Sequence, residues 1–122
     1  MPSDVDIYKQ KLLSDPLDMS AFSALRNHYM KSGMWEDLAQ LLETRAQNLG
    51  SDGEAADLLH RSGELWIDKL GDLARGTGTL LKAIEVATNH RGSAERLEKI
   101  YRDAGDFEAL LQILTRWVEG LE

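Results

Sequence analysis

The sequence predicts an all-α fold in which antiparallel helical hairpins stack on one another. Apolar residues recur at alternating steps of three and four, which is the spacing of one face of a helix. The only prolines are Pro2 and Pro16, so proline interrupts no helix after residue 16. Gly33, Gly71 and Gly105 each follow a helical pattern and precede another. Their spacing is typical of a helical repeat, and no segment alternates apolar and polar residues as a strand would.

The first three helices are predicted over 4–14, 17–31 and 34–49. Pro16 marks the boundary between the first two, since proline is favoured where a helix begins. Gly33 suits the left-handed position after the second helix. The third helix carries a stripe formed by Trp35, Leu38, Leu42, either Arg45 or Ala46, and Leu49.

The fourth helix is predicted over 53–70, where its start is the best marked in the chain. Ser51 and Glu54 have the spacing of a capping box, in which each side chain bonds a backbone amide of the other's residue. One face of this helix carries the stripe Ala56, Leu59, Gly63, Trp66 and Leu70.

The last three helices are predicted over 73–88, 92–104 and 106–121. Gly76 and Gly78 each destabilise the helix over 73–88 by about 1 kcal/mol relative to alanine. Close packing explains the presence of Gly76 but not that of Gly78. Ser93 is predicted to cap the second. The final helix carries a predicted core stripe of Phe107, Leu110, Leu114, Trp117 and Leu121.

Composition narrows the class of protein. The 122 residues include no cysteine, which excludes disulfides, thiolate metal sites and cysteine nucleophiles. The formal charge of −7 disfavours binding to nucleic acid or to an anionic membrane. No apolar run is long enough for a membrane span, and the N-terminal residues lack the pattern of a secretory signal. We therefore expect an acidic, globular, cytoplasmic protein.

The chain repeats itself at a distance of 72 residues. This shift places residues 20–46 on 92–118, with room for a middle unit between them. It aligns similar residues in pairs: Leu25 with Leu97, Tyr29 with Tyr101, Gly33 with Gly105, Trp35 with Phe107 and Leu42 with Leu114.

The middle unit resembles the tetratricopeptide repeat (TPR) family and carries the best match. The residues that carry this resemblance are Leu59, Gly63, Trp66, Gly76, Leu80 and Ala83. The outer units depart from the pattern, because Arg26 and Glu98 replace its glycine, and Leu38 and Leu110 replace a small residue.

The resemblance implies a right-handed stack of about three hairpins in one domain spanning residues 1–122. The implied units are 17–49, 53–88 and 92–121, preceded by a helix over 4–14. An irregular helical bundle is the alternative architecture.

In this family the first helix of each hairpin lines a concave groove that binds peptides. The resemblance therefore implies that basic and polar side chains in these positions contact acidic groups of a partner. The candidate groove residues are Asn27, Lys31, His60, Arg61, Arg96 and Lys99. The alternative is that these are solvated side chains paired with nearby acids. Ser23 and Arg61 replace residues of the family's carboxylate clamp, which argues against that specific clamp.

The final helix offers a second candidate surface. Its wide apolar band either covers the core or is exposed and self-associates. The candidate self-association residues are Leu110, Leu114, Trp117 and Leu121.

No constellation predicts catalysis, a cofactor or a metal. His28, His60 and His90 do not have ligand spacing, and the segment 76–82 lacks the ending of a phosphate loop. We expect a non-catalytic adaptor or scaffold that binds a protein or peptide. The alternatives are a structural homodimer formed through the final helix, or a small acidic secretion or assembly chaperone.

Overall fold

The computed structural model describes residues 3–50 and 52–121, and for residues 120 and 121 it describes the backbone only. This part of the chain contains seven helices and no strand, which confirms the all-α prediction. Each helix boundary lies within two residues of the predicted one. The helices are α1 (Asp4–Ser14), α2 (Met19–Ser32), α3 (Trp35–Asn48), α4 (Asp52–Asp68), α5 (Leu73–Val86), α6 (Arg91–Ala104) and α7 (Phe107–Leu121).

The predicted glycine positions end the helices. Gly33 and Gly105 follow α2 and α6 with φ angles of 67° and 71°, and Gly71 follows α4 with a φ of 67°. At the end of α2, the Met34 amide donates to the Tyr29 carbonyl over 2.9 Å. The left-handed residue thus turns the chain back, so that consecutive helices pack as antiparallel neighbours.

Carboxylates cap several helix starts. The Asp18 carboxylate accepts from the Ala21 amide over 2.9 Å, and Asp72 accepts from the Arg75 amide over 3.0 Å. Ser3 and Asp6 form a capping box at α1. The capping box predicted from Ser51 lies outside the described residues.

The predicted cap of α6 was wrong. His90 is the N-cap residue, and its Nδ1 accepts a hydrogen bond from the Ser93 amide over 3.2 Å. Ser93 lies inside the first turn, where its side chain is fully buried. Serine is the commoner capping residue, which is why the sequence favoured it.

α4 and α5 approach each other closely at two glycines. A Cβ atom on Gly76 would overlap Cγ1 of Ile67 and would lie 2.7 Å from the carbonyl oxygen of Gly63. A Cβ atom on Gly63 would lie 2.8 Å from Cδ2 of Leu80. The two backbones therefore touch, which accounts for Gly76 within a helix. Nothing in the structure explains Gly78, because a Cβ atom there would meet open space.

Three clusters of buried side chains form the core along the stack. The first joins α2 and α3, the second joins α3, α4 and α5, and the third joins α5, α6 and α7. α1 covers the first cluster through Val5, Tyr8 and Leu12. Placing Phe107 on the core stripe was wrong, because this side chain is 70% exposed. No described helix packs over that side of α7, and Ile113 supplies its buried contact instead.

Alanine at Gly76 should destabilise the fold, because its methyl group would push α4 and α5 apart. We expect a decrease of about 1–3 kcal/mol in the free energy of unfolding, measured by urea denaturation. Gly78→Ala is the matched control in the same helix. It should raise that free energy by about 0.5–1 kcal/mol, because alanine is the better helix former and has room there. Equal stability of the two variants would contradict the close approach.

Candidate functional site

The predicted groove residues fall on the first helix of each hairpin. Asn27 and Lys31 lie on α2, and Arg61 lies on α4. These three side chains are exposed and have no hydrogen bond or ion pair within the described part of the chain. The other three, His60, Arg96 and Lys99, already have carboxylate partners. Only three of the six predicted groove side chains therefore have no partner within the described part of the chain and can bind a ligand without breaking an existing ion pair.

A cleft of about 340 Å³ lies between α2, α3 and α4. Apolar side chains form its floor, while charged side chains border it. We call it the first cleft, and its lining residues are Arg26, Met30, Leu38, Leu42, Arg61, Glu64, Leu65, Asp68 and Lys69.

A second cleft of about 210 Å³ lies between the same three helices. It uses the N-terminal halves of α2 and α4, whereas the first cleft uses their C-terminal halves. The two clefts therefore lie end to end along one furrow, which we call the α2–α4 groove. The second cleft is lined by Met19, Phe22, Arg45, Leu49, Glu54, Asp57, Leu58 and Arg61.

Arg61 borders both clefts, so its side chain separates them. The sequence identified Arg61 but missed other groove residues. Met19 and Met30 are 60% and 52% exposed, and one lines each cleft. They are eleven residues apart, a spacing that places two side chains on the same face of a helix. This spacing is the signal that could have found them.

Arg96 holds α6 against α4. Its Nη2 donates to Oδ1 of Asp68 over 2.8 Å, and its Nη1 lies 3.5 Å from Oε2 of Glu64. The side chain is only 27% exposed. Lys99 forms a different contact, an exposed pair with Asp103 one turn along α6. Arg96 therefore acts within the stack.

Two histidines extend this contact between α4 and α6. His60 lies 3.0 Å from Oγ of Ser93 through Nδ1 and 2.9 Å from Oε1 of Glu64 through Nε2. His90 Nε2 lies 2.8 Å from Oδ1 of Asp57. Because His90 Nδ1 accepts the Ser93 amide, the neutral ring carries its proton on Nε2 and donates it to Asp57.

The side chains that join α4 to α6 form one network, with the two imidazole rings 5.4 Å apart. We call it the α4–α6 clasp, formed by Asp57, His60, Glu64, Asp68, His90, Ser93 and Arg96.

The Ser93–His60–Glu64 chain has the connectivity of a hydrolase triad, which sequence spacing did not reveal. Ser93 is fully buried, however, so its hydroxyl cannot reach a substrate. Its bond to His60 therefore joins two helices. In the described part of the chain, no group of three or more acidic or histidine side chains could hold a metal ion.

Burial lowers the pKa of His60 below its ordinary value of 6.5. Glu64 opposes this effect, His90 adds to it, Asp57 opposes it, and Arg96 adds to it. The network therefore favours the neutral ring, which accepts from Ser93 and donates to Glu64.

Acidification should weaken the fold through His60. The folded state holds this proton less tightly than the unfolded state, so the free energy of unfolding should fall as pH decreases from about 6.5 through the lower folded pKa. Urea denaturation between pH 7.5 and 5 measures this slope. His60→Gln should flatten it, and an unchanged slope in that variant would show that another group is responsible.

The final helix exposes a continuous apolar stripe. Phe107 and Leu111 are 70% and 66% exposed, and Leu114 and Val118 continue the same face. We call these four residues the α7 stripe. Among the candidate self-association residues, Leu114 belongs to it, Leu110 is half-buried, and Trp117 packs against the third core cluster. The side chain of Leu121 lies outside the described residues.

The internal repeat allows the α7 stripe to be compared with the equivalent face of α3. In the first unit three of the four equivalent positions, Ala39, Leu42 and Ala46, are buried, and Trp35 is partly buried. The Ser62 hydroxyl of α4 donates to the Ala39 carbonyl of α3 over 3.1 Å. The 72-residue shift aligns Leu111 with Ala39, Leu114 with Leu42 and Val118 with Ala46. The α7 stripe is thus the face against which the following helix packs in the first unit.

Comparison with known families supports the repeat. Residues 21–54 match the family model described as tetratricopeptide repeat. The chain carries a TPR-like helical repeat. The match covers α2, α3 and the start of α4, so it falls on the first unit, whereas the sequence pattern placed the best match in the middle unit. Repeats of this family are protein–protein interaction modules. No curated protein sequence matches the chain.

No described helix is long and apolar enough to cross a membrane.

Proposed function

We propose that the chain is a non-catalytic cytoplasmic adaptor whose three hairpins act as one domain and bind a peptide segment of a partner protein. The partner lies in the α2–α4 groove. The observation that carries this proposal is the position of Arg61 between two apolar clefts, without an ion-pair partner among the described residues. Ligand sites typically combine apolar cavities with a few polar groups that fix orientation, and an arginine pairs strongly with a carboxylate.

Asn27 and Lys31 are exposed donors on α2 that line neither cleft, so in this proposal they lie beside the groove, next to Arg26 and Met30. His60 and Arg96 have a different role in this proposal: they hold α6 in place through the α4–α6 clasp. Lys99 extends the exposed face of α6 beyond the groove. The groove can thus be basic although the whole chain carries a formal charge of −7.

Reversing the charge of Arg61 should abolish partner capture without unfolding the chain, because the side chain is exposed. The test is a pull-down from source cells with the native chain and Arg61→Glu, read by quantitative mass spectrometry. Lys82→Glu is the matched control, since Lys82 is exposed on α5 and lines neither cleft. A partner lost with both variants, or with neither, would contradict groove recognition.

A second candidate function is assembly into a homodimer through the α7 stripe. Its four residues follow each other at steps of four, three and four, which is the spacing of a coiled-coil seam. Pairing with α7 of a second copy would cover a face that is buried at the equivalent positions of α3. The coiled-coil spacing of the stripe is what favours α7 of a second copy as the occupant.

The double variant Leu111→Asp/Val118→Asp should convert the dimer to a monomer, because it places two charges in the seam. Analytical ultracentrifugation measures this change: the native chain should have twice the monomer mass of 13.7 kDa, and the double variant should have the monomer mass. Leu73→Asp is the control, since Leu73 is an exposed leucine on α5, outside the stripe. A native chain that stays monomeric at high micromolar concentration would rule out this function.

A further inference from the structure

We propose that the α2–α4 groove recognises an extended segment with two large apolar side chains three residues apart and a carboxylate between them. This inference rests on the proposed peptide-binding function and specifies the chemistry of the partner. It follows from three properties of the groove: two apolar cavities, the distance between them and the distribution of unpaired charge.

Each cleft offers an apolar floor and one exposed methionine. Leu38 and Leu42 lie beneath the first cleft, and Met30 forms part of its wall. Leu58 and Phe22 have the same position in the second cleft, beside Met19. Methionine side chains adapt their shape to different apolar groups, so each cleft can enclose one large side chain of a partner.

The separation of the clefts sets the spacing of the two anchors. On α4, Leu58 lines the second cleft and Leu65 lines the first. Seven helical residues span about 10 Å. An extended chain of the polyproline II type covers about that distance in three residues, and its side chains return to the same face every third residue. A helical partner would need anchors seven residues apart to span the same distance, so the two forms predict different spacings, and we commit to the extended form.

The charges of the groove complement an acidic partner. Among the described residues, Arg61, Arg26 and Lys69 form no ion pair. The guanidinium of Arg26 lies 5.5 Å from the centre of the Phe22 ring. The ammonium of Lys69 lies 5.1 Å from the centre of the Trp35 ring. These contacts position the cations and leave them without a carboxylate.

The carboxylates of the same region are already engaged. Glu64 and Asp68 bond to Arg96, and Asp57 bonds to His90 within the α4–α6 clasp. The clasp therefore neutralises the acidic side of the groove. Arg61 lies between the two clefts, so the partner's carboxylate should lie between its two apolar anchors.

Selection from a displayed library of random 12-residue peptides tests this specificity. The full chain is immobilised, and peptides that also bind Arg61→Glu are removed by counter-selection. We expect the enriched sequences to share two large apolar residues three positions apart, with aspartate or glutamate between them.

Fluorescence anisotropy with one enriched peptide then assigns its register. Arg61→Glu should weaken binding about tenfold or more, because it removes a charge-assisted contact and adds a repulsion. Met19→Gln and Met30→Gln should each weaken it about threefold, and Lys82→Glu should leave it unchanged. Replacing one apolar peptide residue with serine should remove sensitivity to one methionine variant but not to the other.

The outcomes separate this inference from the proposed function. Enriched peptides that depend on Arg61 but lack the acidic residue, or carry apolar residues seven apart, would overturn the inference and retain the groove. An absence of enrichment, or peptides that bind Arg61→Glu as tightly as the native chain, would overturn both.

Discussion

The contact on which the rest of the structure depends is the backbone approach of α4 and α5 at Gly63 and Gly76. Because neither residue has a side chain, the two helices touch where any other pair would be held apart. This contact fixes α4 in the middle of the stack. α4 contacts three neighbouring helices: it buries one face against α3 and α5 and binds α6 through the clasp. It also forms one wall of the groove. A shift of α4 would therefore alter both the α2–α4 groove and the α4–α6 clasp.

Two adjacent residues of α4 face different surfaces. His60 points to α6, where it contacts Ser93, and Glu64 of its own helix binds its other ring nitrogen. Burial lowers its pKa. Arg61, the next residue, borders the clefts on the other side. A helix turns by about 100° per residue, so neighbouring positions serve different surfaces. The acidic side chains are thus engaged by α6, while the basic ones remain available in the groove.

The sequence predicted the helices well because their signals are local. Gly33, Gly71 and Gly105 mark helix ends by their backbone conformation, and apolar periodicity marks what lies between them. Contacts between distant segments could not be predicted. The cap formed by His90 depends on geometry that the commoner preference for serine obscured, and the bond between His60 and Ser93 joins residues 33 positions apart. Exposure of Phe107 depends on which helix covers α7, and periodicity cannot supply that information. The clefts likewise depend on how α2 stands relative to α4.

The most direct test of groove recognition is to map the peptide-binding site on the full chain by NMR. Backbone amide shifts would be followed while a partner peptide is titrated into the isotope-labelled protein. We expect the largest shifts along α2 and α4, centred on Arg61 and extending to both clefts, with α7 unchanged. Shifts concentrated between Phe107 and Val118, with α2 and α4 unaffected, would contradict the groove as the binding site.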